Sequence, residues 1–297
     1  MNDAATSQPQ FDRTTDDLGN IVEFGHVNVT VPDQSKAISF YITGLGLTRD
    51  PFIMAGIENI WVNVGRSQFH LPTRGTQVLR GTVGLLLPDL EALLRRLAYA
   101  QKQLNGTQFS FREAGDTVEA TCPWGNRFRC HAPDPAKFGN MRLGMPYVEF
   151  DVPETSDLGG IERFYREVFD AITGMASDAR GPYAWVRVGD GNRLVFRHSG
   201  APVPAFDGHH IQFSLANFSR PHRKLLEHGL ITEETNRHQY RFVDIVDLDS
   251  GKSLFQVEHE VRSMLHPMYT RSHINRNPDI SLQTFSPGYE YSNWALN

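Results

Sequence analysis

HVNVTVPD, at residues 26–33, decides the fold, because close variants of this stretch recur three more times along the chain. The other copies are TVGLLLPD at 82–89, YVEFDVPE at 147–154 and HIQFSLAN at 210–217. In every copy, apolar side chains alternate with a largely polar set, which is typical of a strand with one face beneath a helix. A sheet face of such polar composition does not belong in a core. We therefore expect this face to form the wall of a cavity or cleft.

Each copy begins a longer repeated unit. A helical pattern follows every copy, at 36–44, 90–100, 160–169 and 221–229, with apolar side chains at helical spacing. In the first three units, short runs with strand character come next. The pattern predicts an α+β protein of four tandem βαβββ units.

The boundaries of these units suggest a division of the chain into four ranges. Pro133, Pro135 and Gly139 punctuate the sequence between the second and third units, which is typical of a linker. We therefore predict two domains of two units each, and terminal segments with no periodicity of their own. The predicted ranges are a disordered or extended tail at 1–21, domains at 22–138 and 139–261, and an irregular C-terminal wrap at 262–297.

Composition narrows the class of protein. The 297 residues carry a net charge of −5, from 29 basic and 34 acidic side chains, without a dense basic stripe, so neither nucleic acid nor a membrane surface is expected as a partner. Cys122 and Cys130 are too few for a disulfide scaffold. The first residues lack the pattern of a secretory signal. The sequence also contains no run of about 20 apolar residues, the length that a membrane-spanning helix needs. We expect a cytoplasmic protein with a small-molecule substrate, and homo-oligomers are compatible with the sequence.

Three motifs of the first unit resemble the vicinal oxygen chelate superfamily: the strand HVNVTVPD, the segment AISFYITGLGL and a hairpin that ends in QFHLP. That superfamily includes glyoxalase I, extradiol ring-cleaving dioxygenases and bleomycin-resistance proteins. The resemblance covers roughly residues 22–260 and is strongest in the first and third units. It implies two incomplete, β-barrel-like domains, with metal ligands on the first and last strands of paired units.

The repeat shows which side chains occupy equivalent ligand positions. On the first strands these are His26, Thr82, Tyr147 and His210; on the last strands they are His70, Arg129, Val195, and Gln256 with Glu258. Side chains able to ligate a metal are thus concentrated in the first and fourth units. We expect these two units to close around a functional cavity and the other two around a vestigial one, although sequence alone also allows the first to pair with the second. Across the vestigial cavity we expect an ion pair between Arg129 and Glu149.

The resemblance also implies roles for individual residues. Hydroquinone-cleaving dioxygenases of this superfamily hold Fe(II) with two first-strand histidines and a last-strand glutamate, and the two histidines correspond to His26 and His210 here. The sequence LFQ places Gln256 where that glutamate is expected, which would weaken metal retention. Either His70 supplies a fourth ligand, or Glu258 coordinates after a shift in strand register; otherwise Glu258 would bind substrate.

Further polar side chains lie near these positions. Asn28 and Gln212 are expected to orient ligands or to contact substrate, and His209 is a candidate for catalysis or for support of the ligands. For the cofactor we favour Fe(II), with Mn, Zn or Ni as alternatives, because imidazole suits several metals. A degenerate site would hold no metal.

Three functions remain open at this point. The first is an extradiol-dioxygenase-like oxidoreductase that acts on a small aromatic diol. The second is a glyoxalase-like isomerase or lyase that uses the same metal cage. The third is a metal-free protein that binds a small molecule, as bleomycin-resistance relatives do.

Overall fold

The computed structural model describes residues 11–53 and 58–275 of the chain. Its strands, numbered along the sequence, fall into the four predicted units. The first unit holds β1 (Ile21–Asn28), β2 (Thr48–Arg49), β3 (Asn59–Val64) and β4 (Ser67–Pro72); the second holds β5 (Gly81–Leu86), β6 (Ser110–Ala114), β7 (Thr117–Thr121) and β8 (Arg127–His131). The third holds β9 (Gly144–Val152), β10 (Thr173–Asp178), β11 (Gly181–Arg187) and β12 (Arg193–His198); the fourth holds β13 (His210–Leu215), β14 (Ile231–Asn236), β15 (Gln239–Val246) and β16 (Ser253–Ser263).

The sheets show which units pair. One eight-stranded sheet has the order β14-β15-β16-β13-β1-β4-β3-β2, and the other has the order β10-β11-β12-β9-β5-β8-β7-β6. The first unit therefore pairs with the fourth, and the second with the third. The sheet of the first and fourth units is called the first sheet, and that of the second and third units the second sheet. In each sheet the two first strands meet antiparallel, and each first strand runs parallel to the last strand of its own unit. Each sheet takes one unit from the range 22–138 and one from 139–261, and neither closes into a barrel within the described residues.

Helices cover one face of each sheet. They are α1 (Gln34–Ala37), which continues as a π-helix over Ile38–Gly44, α2 (Leu90–Ala100), α4 (Leu158–Phe169) and α5 (Ser219–Glu227). The short α3 (Pro135–Phe138) instead lies on the polar face of the sheet formed by the second and third units, where Phe138 packs against His131. Asp33 and Asp89 cap α1 and α2 by accepting hydrogen bonds from backbone N–H groups of the first turn, which contributes about 1 kcal/mol each. None of these helices is long and apolar enough to cross a membrane.

The helices join the two sheets into one core. Tyr41, which follows α1, packs against Phe69 of its own sheet at 5.1 Å between ring centres and against Phe128 of the other sheet at 5.8 Å. Tyr165 of α4 likewise contacts Phe196 of one sheet and His259 of the other. Because both sheets turn their apolar faces toward the helices, their polar faces lie on the opposite side. This is the arrangement that the alternation of residues predicts.

The terminal segments are described in part. Residues 13–16 form a 3₁₀ turn, and residues 1–10 of the predicted tail lie outside the described residues. In the predicted C-terminal wrap, Arg271 forms an ion pair with the buried Asp50, with Nη2 2.7 Å from Oδ2, and the Asn275 side chain hydrogen-bonds the backbone of Gly65. Residues 276–297 lie outside the described residues.

Candidate metal centre

Three imidazoles meet on the polar face of the first sheet. His26 lies on β1, His70 on β4 and His210 on β13, and one potential ligand atom from each lies within 4.8 Å of the others. Strand register brings them together, because Asn28 of β1 lies beside His210 on one side and beside His70 on the other. The first and fourth units thus share one site, as the repeat predicts.

The geometry of His26 and His210 fits a shared metal ion. Their Nε2 atoms are 3.2 Å apart. Two nitrogens bound to one ion at about 2.1 Å are separated by about 3.0 Å at a right angle and about 3.4 Å at the tetrahedral angle. The separation is also that of a hydrogen bond between a protonated and an unprotonated ring nitrogen, so the pair is stable without an ion.

Burial keeps two of the imidazoles neutral, which is the form that binds metals. Loss of solvent around His26, assisted by the positive charge of Arg262, lowers its pKa well below the usual range. Burial likewise lowers the pKa of His70 to about 3, and neighbouring positive charges act in the same direction. Neutral imidazole retains a lone pair for coordination at any pH near 7.

Neighbouring groups hold the imidazoles in place. Glu258 Oε2 lies 3.2 Å from His210 Nδ1, so the carboxylate orients the ring with Nε2 toward His26. His70 is hydrogen-bonded at both ring nitrogens, at 2.6 Å from the amide of Asn28 and 2.7 Å from that of Asn59. A metal ion would have to replace one of these two bonds.

Trp61 of β3 forms an aromatic wall beside these rings. Its indole stacks on His70, with ring centres 3.9 Å apart and planes 12° apart. The same indole meets His26 edge-on at 5.0 Å between ring centres. These contacts limit the rotation of both imidazoles.

Glu260 of β16 occupies the fourth ligand position. In the first unit, His70 lies beside Asn28; in the fourth unit, Glu260 lies beside Gln212, the residue equivalent to Asn28. Glu260 is therefore the counterpart of His70, and its Oε2 lies 3.6 Å from His210 Nε2. Sequence reasoning missed this residue. It shares the inward side of β16 with Gln256 and Glu258, and continuing the same alternation by two residues would have reached it.

The structure does not bring Gln256 into the centre. Its side chain is exposed and donates to Asp244 Oδ1 at 3.0 Å. The register of β13 against β16 places Glu258 beside His210, so the ligand position lies four residues beyond Gln256. Glu258 does reach the centre, where it contacts Nδ1 of His210, the ring nitrogen that faces away from His26.

Two arginines that sequence reasoning did not identify compensate the charge of these carboxylates. Arg241 of β15 bridges Glu258, at 2.7 Å from Nη1, and Glu260. Arg262 also pairs with Glu260, and both side chains are more than nine-tenths buried. Each of the two carboxylates is thus paired with at least one guanidinium group, which reduces the negative charge available to offset a divalent ion.

The remaining predicted residues lie at different distances from the centre. Gln212 is buried beside His26 and bonds Ser214 Oγ at 3.2 Å. Its amide covers the backbone of Gly25, where any side chain would collide with it. His209 is fully buried and is held by Asp207 through Nδ1 at 2.6 Å, while its Nε2 has no hydrogen-bond partner among the described residues. His209 does not join the three imidazoles.

The second sheet carries a cavity of about 750 Å³, and none of the three imidazoles lines it. Arg129, Tyr147 and Val195 line this cavity and hold the ligand positions that the repeat predicts for them. The expected ion pair between Arg129 and Glu149 is wrong. Arg180 of the β10–β11 turn reaches Glu149 instead, with Nη1–Oε1 and Nη2–Oε2 distances of 2.6 and 2.8 Å.

Comparisons with known proteins agree on the fold. No family model and no curated protein sequence matches the chain. Among solved structures, a predicted dioxygenase from Bacillus subtilis is similar over 83% of this chain and 86% of its own, with 13% identity and a TM-score of 0.53. Glyoxalase I from Zea mays is similar over 81% of this chain and 92% of its own, with 14% identity and a TM-score of 0.52. At such identities the likeness concerns the fold alone, and the chain has the fold of the vicinal oxygen chelate superfamily.

Proposed function

We propose that the chain is a metal-dependent enzyme that binds a small aromatic diol through two neighbouring oxygens, as extradiol dioxygenases do. The observation that carries the proposal is the group of His26, His70 and His210, of which the first and last are buried and have their Nε2 atoms 3.2 Å apart. These three side chains, with Glu260 nearby, would hold the ion. A bound divalent ion would lower the pKa of substrate hydroxyl groups and hold two oxygens side by side.

The charge of the site favours an anionic ligand. Glu258 and Glu260 are neutralised by Arg241 and Arg262, and the imidazoles carry no charge of their own when they coordinate. A deprotonated diol would supply negative charge that offsets the charge of the ion. A neutral or cationic substrate would leave the charge of the ion uncompensated in a buried site, which is costly.

Other side chains of the site would position the metal-binding imidazoles and the substrate ring. Glu258 fixes the His210 ring, and Asn28 and Asn59 fix His70. The indole of Trp61 supplies an apolar wall against which an aromatic ring could pack. Fe(II) is the metal we favour, with Mn, Zn or Ni as alternatives.

Metal analysis of protein purified without chelators tests the proposal. We expect about one divalent ion per chain, and a raised melting temperature when Fe(II), Mn(II), Zn(II) or Ni(II) is returned to chelator-treated protein. The His210→Gln variant should lose both effects. His222→Gln is a matched control, because His222 pairs with Glu234 on the helical side, away from the site. A metal-free protein that no divalent ion stabilises would overturn the proposal.

A glyoxalase-like isomerase or lyase is the second candidate, because His70 lies in the group and would complete a four-ligand cage with Glu260. An oxygen electrode separates the two reactions: with a panel of catechols and hydroquinones, a dioxygenase consumes oxygen, whereas an isomerase or lyase does not.

A metal-free binding protein is favoured by one further observation: the imidazoles already have hydrogen-bond partners within the protein. It predicts ligand binding that chelators leave unchanged. The metal analysis therefore decides between this candidate and the two enzymes.

A further inference from the structure

The cavity of the second sheet has the charge of an anion-binding site. Seven Arg and Lys side chains line it against three carboxylates, an excess of four positive charges (7 − 3) in a chain of net charge −5. Two of the carboxylates, Glu149 and Asp178, are engaged by Arg180 and Arg197. The third, Asp190, pairs with Arg66, and Lys137 pairs with Asp116 and Asp134 outside the lining. Apart from Lys137, the positive charge that no lining carboxylate meets is therefore that of Arg129, Arg187 and Arg193.

Arg129 stands where the first sheet has a metal-binding imidazole. Arg129 lies beside Gly84 on the parallel neighbouring strand, just as His70 lies beside Asn28. A guanidinium group cannot ligate a metal, but it offers five N–H donors in a planar fork that matches a carboxylate. The same position in the repeat thus holds a cation in the second sheet and a cation-binding ring in the first.

Most donors of Arg129 remain available. Among the described residues, its one ion pair is with Glu119, at 3.5 Å, and Glu119 is shared with Arg112 on the neighbouring strand. The Arg129 side chain is 27% exposed, so it is accessible from the cavity. This long contact and a hydrogen bond to the Tyr147 hydroxyl engage only part of the guanidinium group, which leaves room for a ligand to form a bidentate pair.

Tyr147 forms part of the floor of the cavity next to Arg129. Its ring lies over Gly84, where an added Cβ would come within 2.5 Å of the ring carbons. Its hydroxyl is hydrogen-bonded to His131 Nε2 at 2.8 Å, and burial raises the pKa of Tyr147 to about 12, so the hydroxyl stays protonated. Glycine at position 84 is therefore what allows this ring to lie flat against the strand.

The opposite wall combines arginines with aromatic rings. The Arg193 guanidinium lies over Trp185 at 4.8 Å, and the Arg197 guanidinium lies over Tyr183 at 4.5 Å from the ring centre. Alternating guanidinium and aromatic planes favour a flat, conjugated ligand, because such a ligand can stack on either kind of plane. A spherical anion would use only the charge.

We infer that the cavity between the second and third units binds a small aromatic carboxylate, with Arg129 as the anchor of the carboxylate group and the Tyr183–Trp185 wall as the surface for its ring. This site lies in the other sheet from the candidate metal centre and does not depend on the proposed enzymatic activity.

Calorimetric titration with three probes tests this inference on the unaltered chain. 2-Naphthoate carries both features, 2-naphthamide lacks the charge, and cyclohexanecarboxylate lacks the aromatic ring. We expect one 2-naphthoate per chain, bound at least about tenfold more tightly than either of the other two, since a charge-assisted bidentate pair and ring stacking each contribute about that factor. Absence of 2-naphthoate binding at millimolar concentration, or equal binding of the three probes, would overturn the inference.

Two variants locate the site. Arg129→Gln should weaken 2-naphthoate binding about tenfold or more, whereas Arg112→Gln, which removes the other partner of Glu119, should leave it unchanged. His26→Gln should also leave it unchanged, because His26 lies in the other sheet. Equal losses from Arg129→Gln and Arg112→Gln would refute the assignment. If Arg129→Gln does not fold, Arg129→Lys keeps the charge, and the comparison of probes on the unaltered chain still decides.

Discussion

Replacing Arg262 with methionine should separate the stability of the protein from its affinity for metal. Arg262 and Glu260 form a buried pair, with side chains 9% and 4% exposed. Removing one partner of a buried pair costs about 3–5 kcal/mol, because the other charge is left without compensation. Arg241 still reaches Glu260, so we expect a value near the lower end, about 3 kcal/mol. Methionine keeps the apolar stem of the side chain and limits the loss of packing.

The same change should strengthen metal binding. With Arg262 absent, Glu260 has one fewer positive partner, and an ion beside His210 meets one fewer repulsive charge. Two unit charges about 4 Å apart interact by about 4 kcal/mol at an effective dielectric constant of about 20. Relief of a third of such a repulsion, about 1.3 kcal/mol, strengthens binding roughly ninefold.

Urea unfolding in the presence of a chelator measures the first effect, and calorimetric titration with Zn(II) or Mn(II) measures the second. The double variant Arg262→Met with Glu260→Gln completes a cycle. It should recover part of the lost stability, because both charges are then removed, and it should lose the gain in metal affinity. If Arg262→Met changes the free energy of unfolding by less than about 0.5 kcal/mol, or if it weakens metal binding, the described pairing of Glu260 is incorrect.

Three further predictions concern other parts of the molecule. Gln256→Glu should leave metal affinity unchanged in calorimetry, because this exposed side chain bonds Asp244 outside the centre; a tighter complex would contradict that position. Burial lowers the pKa of His273 to about 4 in the folded chain, below its unfolded value of about 6.5. Between these two pH values His273 is protonated in the unfolded chain but not in the folded chain. The free energy of unfolding, measured in chelator, should therefore fall as the pH drops from about 6.5 to about 4, by up to about 1.4 kcal/mol per pH unit. In urea unfolding, the His273→Leu variant should show a weaker dependence of this free energy on pH. Cys122 and Cys130 are buried, and burial raises the pKa of Cys130 to about 12, so neither thiol should react with a disulfide reagent at pH 8 until denaturant is added; rapid labelling of native protein would contradict this.

Alternation and repetition predicted the fold, because both are local properties of the sequence. The four copies of one strand pattern imply four units, and the α+β class is confirmed by the two eight-stranded sheets. The same alternation identified the ligand positions of the second sheet, Arg129, Tyr147 and Val195, since a strand with period two has only two faces.

The candidate site was less predictable where it depends on contacts between strands. Gln256, Glu258 and Glu260 share one face of β16, and only the register against β13 selects among them. That register is a tertiary property, set by packing between units that are distant in sequence. Arg180 was missed for a similar reason: it lies in a turn, and nothing in the local sequence indicates that it reaches Glu149. Long, flexible arginine side chains can select among several carboxylates, so their partners cannot be inferred from one strand at a time.

The outer two units of the chain pair with each other, and so do the inner two, and this arrangement affects the order in which the protein folds. His26 and His210 are separated by 184 residues, and the sheet they share cannot form until the strands on both sides of the middle pair are present. The middle pair joins neighbours in sequence, so its loop-closure cost is lower. We expect the half that holds the arginine-lined cavity to assemble first during synthesis and to act as a template on which the outer units meet. Occupancy by a metal ion would then report that the outer units have docked correctly, and neither of them could bind the ion in this way alone.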